Sequence, residues 1–161
     1  VPEITYGFGA SVKWKGFDFS VFFQGVGNVN FFANNTYTQP FTATNISMGN
    51  VFTDLVGNYW TPENLNAKYP RLTTSANENN KQVSSFWMVD GSYIRLKNAE
   101  IGYTLPKSWV NKMRIEGLRI YISGMNLLTF SDFKLWDPDL QTGAANYPNN
   151  KVYNIGLSLT F

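Results

Sequence analysis

Tyr153-Asn154-Ile155-Gly156-Leu157-Ser158-Leu159-Thr160-Phe161 is the stretch whose reading decides the fold. Tyr153, Ile155, Leu157, Leu159 and Phe161 are apolar, and the residues between them are small or polar. A period of two marks a β-strand with one apolar and one polar face. Two settings impose that pattern. In a transmembrane β-barrel, lipid-facing side chains alternate with side chains facing a polar lumen, and aromatics mark the interfaces. The other setting is the edge strand of a soluble sandwich. The aromatic residues at both ends of the apolar row favour the barrel.

Composition narrows the class. Of the 161 residues, 17% are aromatic and only 15% charged. No run of roughly 18 apolar residues exists, which excludes a transmembrane helix but not a barrel wall, whose strands average apolar and polar positions. The chain has neither Cys nor His. Disulfides, thiol nucleophiles, the usual zinc sites and histidine-based triads are thereby removed. A net charge of +2 with dispersed basic residues gives no footprint for nucleic acid. Val1 opens no charged-then-apolar leader, so any export signal is expected upstream or already removed.

About five strands can be read. The first runs from Ile4 to Trp14, with Ile4, Tyr6, Phe8, Ala10, Val12 and Trp14 on one face. Lys15-Gly16 reads as a two-residue hairpin, because Gly tolerates the positive φ such turns require. The second strand returns with Phe17, Phe19, Val21 and Phe23 on the apolar face, which sets Trp14 opposite Phe17 and Lys13 opposite Asp18. The third spans about Ser92 to Leu105. Ala99, Ile101, Tyr103 and Leu105 share a face there, but Ile94 and Leu96 have the opposite parity. Either a bulge lies near Lys97-Asn98 or the upper part leaves the membrane band. Leu118 to Leu128 is the fourth strand and the terminal stretch the fifth; crossing segments of about 9–11 residues suffice for a tilted strand.

The connections are unequal. Lys15-Gly16 and the link from Pro106 to Gly117 are short, the latter with one expected helical turn. The connections over 24–88 and 129–152 are long. Short and long links alternate, so they fall on opposite rims, and barrels of this kind keep short turns in the periplasm and long loops outside. The 24–88 excursion carries Pro40, Pro62 and Pro70 and many aromatics, too many for a disordered segment. It is expected to be ordered and extracellular, with a helix around Asn50 to Tyr59.

Several motifs resemble one family. Tyr59-Trp60-Thr61-Pro62-Glu63-Asn64 with Ala67-Lys68-Tyr69-Pro70-Arg71-Leu72 is similar to a segment of SusC/RagA-type TonB-dependent transporters. So are Asp90-Gly91-Ser92-Tyr93-Ile94-Arg95-Leu96-Lys97-Asn98, Gly102-Tyr103-Thr104-Leu105-Pro106, the run from Leu118 to Thr129, and Asp137-Pro138-Asp139. The resemblance covers nearly the whole chain and is most specific from Tyr59 to Phe161. It implies an all-β, antiparallel, many-stranded plugged barrel of the bacterial outer membrane. It further implies import of oligosaccharides or peptides, a SusD-like surface lipoprotein as lid, and energy delivered by TonB through an N-terminal segment. This chain shows no plug and no TonB-contact segment, and about a quarter of the roughly 22 strands of such a barrel. It is expected to be the C-terminal part, stable only with the remaining strands, since open edges in lipid leave backbone groups unsatisfied.

The expected function is therefore transport, with no catalytic residue, metal or cofactor. Arg95, Lys97, Glu100, Arg119 and Tyr121 are the candidates for contacts with the lumen or plug, or for pairing among themselves. Trp60, Tyr69, Arg71 and Trp136 are the candidates for the extracellular mouth, touching substrate or the lid. Tyr153 and Phe161 are the candidate assembly signal. Asp132, Asp137 and Asp139 lie close together but read as turn chemistry, without the glycine spacing of a calcium loop. The sequons at Asn34 and Asn45 are chance matches in a bacterial protein. The alternative is a soluble carbohydrate-binding β-sandwich with Trp60, Tyr69 and Trp136 as stacking platforms.

Overall fold

The computed structural model describes residues 2–35, 37–41, 51–75, 77–142 and 146–161. The chain forms two units, one of Val1–Val29, Ser92–Ser131 and Asn149–Phe161, the other of Asn30–Gly91 and Asp132–Pro148.

The first unit is a five-stranded antiparallel sheet in the order β1 (Ile4–Trp14), β2 (Phe17–Gly27), β5 (Tyr93–Thr104), β6 (Gly117–Phe130) and β7 (Val152–Thr160). Lys15 and Gly16 turn with φ of 47° and 89°, the two positive angles of a tight hairpin. Trp14 pairs with Phe17 and Lys13 with Asp18, the register that the turn dictates. One apolar row then crosses the sheet: Phe19 pairs with Val12 and Ile101, Ile101 with Ile122, and Ile122 with Ile155.

The parity change in β5 is a bulge. Pairing shifts between Phe22 and Phe23 on β2 and between Leu96 and Asn98 on β5, so Lys97 has no partner in either ladder. On β6 the same step is taken up around Asn126, whose φ is 54°. Leu96 then pairs with Phe23 and Leu128, and Ile94 with Gly25 and Phe130. The extra residues return Ile94 and Leu96 to the apolar face. That face is bare: Trp14 is 66% exposed and Ile155 80%. Among the described residues the only other ladder is the three-residue pair β3 (Asn30–Phe32) and β4 (Met88–Asp90), so no second sheet builds a sandwich.

The link from β5 to β6 begins at Pro106, forms α1 (Lys107–Val110) and one 3-10 turn (Asn111–Met113), and stops at Arg114 with φ of 56°. Val110 is its buried anchor. The short turn, this link and the end of β7 all lie at one end of the sheet, as the pairings of Phe17 with Tyr103 and of Gly117 with Thr160 require.

The second unit holds two aromatic clusters. Phe31, Ala33 and Phe133 form one, with Val89, Leu135 and Trp136 against it. Leu55, Tyr69 and Trp87 form the other, with Val51, Phe52, Tyr59 and Leu72 packed on it. The helix expected from Asn50 to Tyr59 is absent over its described part. A single 3-10 turn covers Thr53–Leu55. Gly57 follows at φ of 78°, an angle that ends a right-handed helix, and the Asn58 amide donates to the Asp54 carbonyl at 2.7 Å. Strand ends also differ from the sequence reading: β2 continues to Gly27 and β6 to Phe130.

Candidate ligand-facing surfaces

On the polar face of the sheet, Glu100, Arg119 and Tyr121 come together with Asp18. Arg119 Nε donates to Asp18 Oδ2 at 3.0 Å, and its Nη2 donates to Asp18 Oδ1 and, at 2.6 Å, to Glu100 Oε1. The guanidinium also lies 5.0 Å from the Tyr121 ring centroid. To reach β2 from β6 it must cross β5, and it does so over Gly102. A Cβ at Gly102 would stand 2.7 Å from both Nε and Cζ of Arg119, so a side chain there would push the guanidinium off this crossing. Tyr121 in turn lies over Gly156 of β7.

Asp18 thus bonds Arg119, two strands away, rather than Lys13 directly across from it. The sequence separation of 101 residues hid this partner. The one glycine inside β5 was the available signal, because an interior strand glycine marks a close approach. Arg95 sits elsewhere on the sheet, beside Thr129, to whose Oγ1 its Nε donates at 3.0 Å. It is 2% exposed and stacks at 5.1 Å from the Tyr93 ring centroid. Lys97 is the bulge residue, skipped in the pairing with both neighbouring strands.

In the second unit, Trp60, Tyr69 and Arg71 line one cavity of about 540 Å³, with Asn77, Asn79 and Phe86 among its other walls. Trp60 N–H donates to the Tyr69 carbonyl at 2.9 Å, and Tyr69 N–H to the Asn58 carbonyl at 3.0 Å. Trp60 and Arg71 are exposed, whereas Tyr69 is 4% exposed and forms the inner wall. The Tyr69 hydroxyl donates to Asp54 Oδ2 at 2.5 Å, and Lys68 Nζ donates to the same oxygen at 2.6 Å. The Lys68 bond, then the Tyr69 bond, hold the Asp54 carboxyl below its usual range. Burial, then the bond to Asp54, push the Tyr69 phenol up. Sequence reasoning did not single out Asp54, Asn77, Asn79 or Phe86.

Trp136 lies outside that cavity. Its Nε1 donates to the Gln141 carbonyl at 2.7 Å, and its ring packs 4.6 Å from Phe133 and 6.1 Å from Phe52. Asp137 accepts from Asp139 N–H at 3.1 Å and caps the 3-10 turn Pro138–Leu140, which is turn chemistry. No cluster of three potential metal-binding side chains occurs among the described residues. Asn34 uses its side chain to donate to the Lys81 carbonyl at 2.8 Å, and Asn45 lies outside the described residues.

No family model matches the chain. Over 99% of its length it is 34% identical to TonB-dependent receptor P3 of Formosa agariphila, covering 16% of that protein. It is 32% identical over its whole length to TonB-dependent receptor P26 of the same organism, covering 17% of it. TonB-dependent receptor SusC of Bacteroides thetaiotaomicron is 25% identical over 99% of the chain. Among solved structures, the RagAB peptide transporter superposes with a TM-score of 0.75 at 31% identity, over 99% of this chain and 17% of that one. The open-open state of the RagAB peptide importer gives 0.73 at 28% identity over the whole chain. The chain therefore spans about a sixth of the length of these relatives. Its bare apolar face and charged polar face are those of antiparallel strands in a transmembrane β-barrel, and over its whole length the chain matches a part of the SusC/RagA-type TonB-dependent receptors.

Proposed function

We propose that this chain supplies wall strands and mouth loops to an outer-membrane importer that takes up oligosaccharides or peptides, driven through TonB and closed by a SusD-like surface lipoprotein. The observation that carries the reading is the sheet, whose apolar side chains are exposed across all of its strands while the opposite face holds the Asp18–Arg119–Glu100 network. Contiguous apolar surface of that extent needs lipid over it. The plug, the TonB contact and the other strands belong to the rest of the receptor.

In this reading the end of the sheet with the short links faces the periplasm, and segments 24–88 and 129–152 lie at the cell surface. Trp60 and Arg71 touch substrate or lid at the mouth of the 540 Å³ cavity, backed by Tyr69. An indole face suits a sugar ring or a peptide side chain, and Arg71 suits a carboxylate. Trp136 supports the mouth through its aromatic cluster. Arg95, Lys97, Glu100, Arg119 and Tyr121 face the lumen and plug. Tyr153 and Phe161 mark β7 for the barrel-insertion machinery.

The test uses the complete receptor in its host, supplied with labelled oligosaccharides and peptides. Uptake of one class should require TonB and copurification should recover the lipoprotein. Trp60→Ala with Arg71→Ala should lower uptake at unchanged receptor abundance. TonB-independent uptake, or full uptake by the double variant, would overturn the corresponding part of the proposal.

A further inference from the structure

We infer that the short-link end of the sheet binds the phosphate headgroup of an anionic phospholipid in the leaflet it meets. An aromatic row marks that level of the barrel wall: Trp14 pairs with Phe17 and Phe17 with Tyr103, the last two rings 4.5 Å apart. Trp14 and Trp109 are 66% and 62% exposed. Indole and phenol rings with an apolar body and a polar tip belong at the boundary between hydrocarbon and headgroups.

Charge at this end is one-sided. Lys15 Nζ lies 5.0 Å from the Trp14 ring centroid. The hairpin that carries it is docked on β5 by the Thr104 N–H to Gly16 carbonyl bond of 2.8 Å, next to where the link begins. That link adds Lys107, Lys112 and Arg114, all exposed, and between 103 and 117 the single acidic residue is Glu116. None of the four cations enters an ion pair among the described residues. Long basic side chains beside a lipid-facing aromatic row lay their methylenes on apolar surface and extend their charge to the headgroup plane. A surplus of unpaired cations there is matched by a headgroup with net negative charge, and a zwitterionic one leaves it uncompensated. The choice of phospholipid over the phosphate-bearing glycolipid of the outer leaflet rests on the orientation proposed above.

The complete receptor, reconstituted with equal phosphatidylglycerol and phosphatidylethanolamine and then stripped stepwise with detergent, reports which lipid it keeps. Retained lipid should be enriched at least fivefold in phosphatidylglycerol, about the factor that one basic residue near an anionic surface contributes. Lys107→Gln with Lys112→Gln and Arg114→Gln should lower the enrichment several-fold, whereas Lys68→Gln with Lys81→Gln should leave it intact. Lys112→Gln alone should lower the enrichment measurably, which keeps the test open if the triple variant fails to assemble. Equal retention of the two lipids by the unmodified receptor would overturn the site. So would enrichment unchanged in the Lys107, Lys112 and Arg114 variants, or phosphatidylglycerol displaced by millimolar inorganic phosphate. Preferential retention of lipopolysaccharide through the same residues would overturn the phospholipid assignment and the orientation beneath it.

Discussion

Arg119 on β6 donates through Nε to Asp18 Oδ2 on β2 at 3.0 Å, passing over β5 at Gly102, the one position of that strand without a side chain. A single guanidinium thereby ties three adjacent strands on the polar face of the sheet, since it also bonds Glu100 on β5. Bonds between ionised partners are stronger than neutral ones, and here each carboxylate accepts from the same fixed fork.

This geometry predicts that Gly102→Val and Arg119→Gln fail in the same way. Valine at 102 occupies the path of the guanidinium, and glutamine at 119 cannot reach both carboxylates. Each should lower the temperature at which the folded receptor loses its compact gel mobility. The double variant should be no worse than the more severe single one, because both remove the same contact. Additive losses would show that Gly102 and Arg119 act separately.

In the second unit, Asp54 makes stability pH-dependent. Its folded-state pKa lies below the unfolded one, owing to the Lys68 and Tyr69 bonds. The contribution is therefore complete above the ordinary carboxylate value of about 4 and fades as pH falls through the lower, folded value. The raised Tyr69 pKa has the opposite consequence: its contribution is whole below about pH 10 and fades above it. Protease resistance of the segment around Asp54 and Tyr69 should decline below pH 4, and Asp54→Asn should flatten that decline. Tyr69→Phe should cost about 1 kcal/mol at neutral pH. An unaltered acid profile in Asp54→Asn would contradict the assignment.

Leu55 and Leu65 offer a packing test. Leu55 is fully buried against Tyr69 and Trp87, whereas Leu65 is 67% exposed. Leu55→Ala should cost about 3 kcal/mol and raise hydrogen exchange through the cluster, and Leu65→Ala should cost less than about 0.5 kcal/mol. Comparable effects from the two would show that the cluster does not order this segment.

For β7, Phe161→Ala should lower the amount of receptor recovered from outer membranes, and Thr160→Ala should leave it near normal. Both residues lie at the same end of the strand, but only Phe161 presents a large apolar side chain, 84% exposed. Normal recovery of Phe161→Ala would reject its part in assembly.

The sheet was largely legible because each of its signals is local. Lys15-Gly16 sets the register of β1 against β2, and the parity switch at Leu96 announces the bulge at Lys97. The loops were less legible. Val51, Phe52, Leu55 and Tyr59 recur at helical spacing, yet the chain turns at Gly57 and those side chains serve an aromatic cluster instead. The pairing of Asn30–Phe32 with Met88–Asp90 depends on tertiary packing that no short window contains. For the candidate site, the charged residues of the polar face were visible as a set, but Asp18 was assigned to its cross-strand neighbour Lys13. Tyr69 was read as a surface aromatic, but it packs in a cluster with Leu55 and Trp87, and its hydroxyl bonds Asp54, fifteen residues away.

The central claim, that the odd-numbered side chains of β7 face lipid and the even-numbered ones the lumen, is tested most directly by accessibility along that strand. The chain contains no Cys, so single cysteines from Val152 to Thr160 can each carry a spin label in the complete receptor. Relaxation by oxygen, which concentrates in lipid, should peak at Tyr153, Ile155, Leu157 and Leu159. Relaxation by a water-soluble nickel chelate should peak at Asn154, Gly156 and Ser158. Two profiles without alternation, or chelate access highest at the odd positions, would contradict the barrel wall.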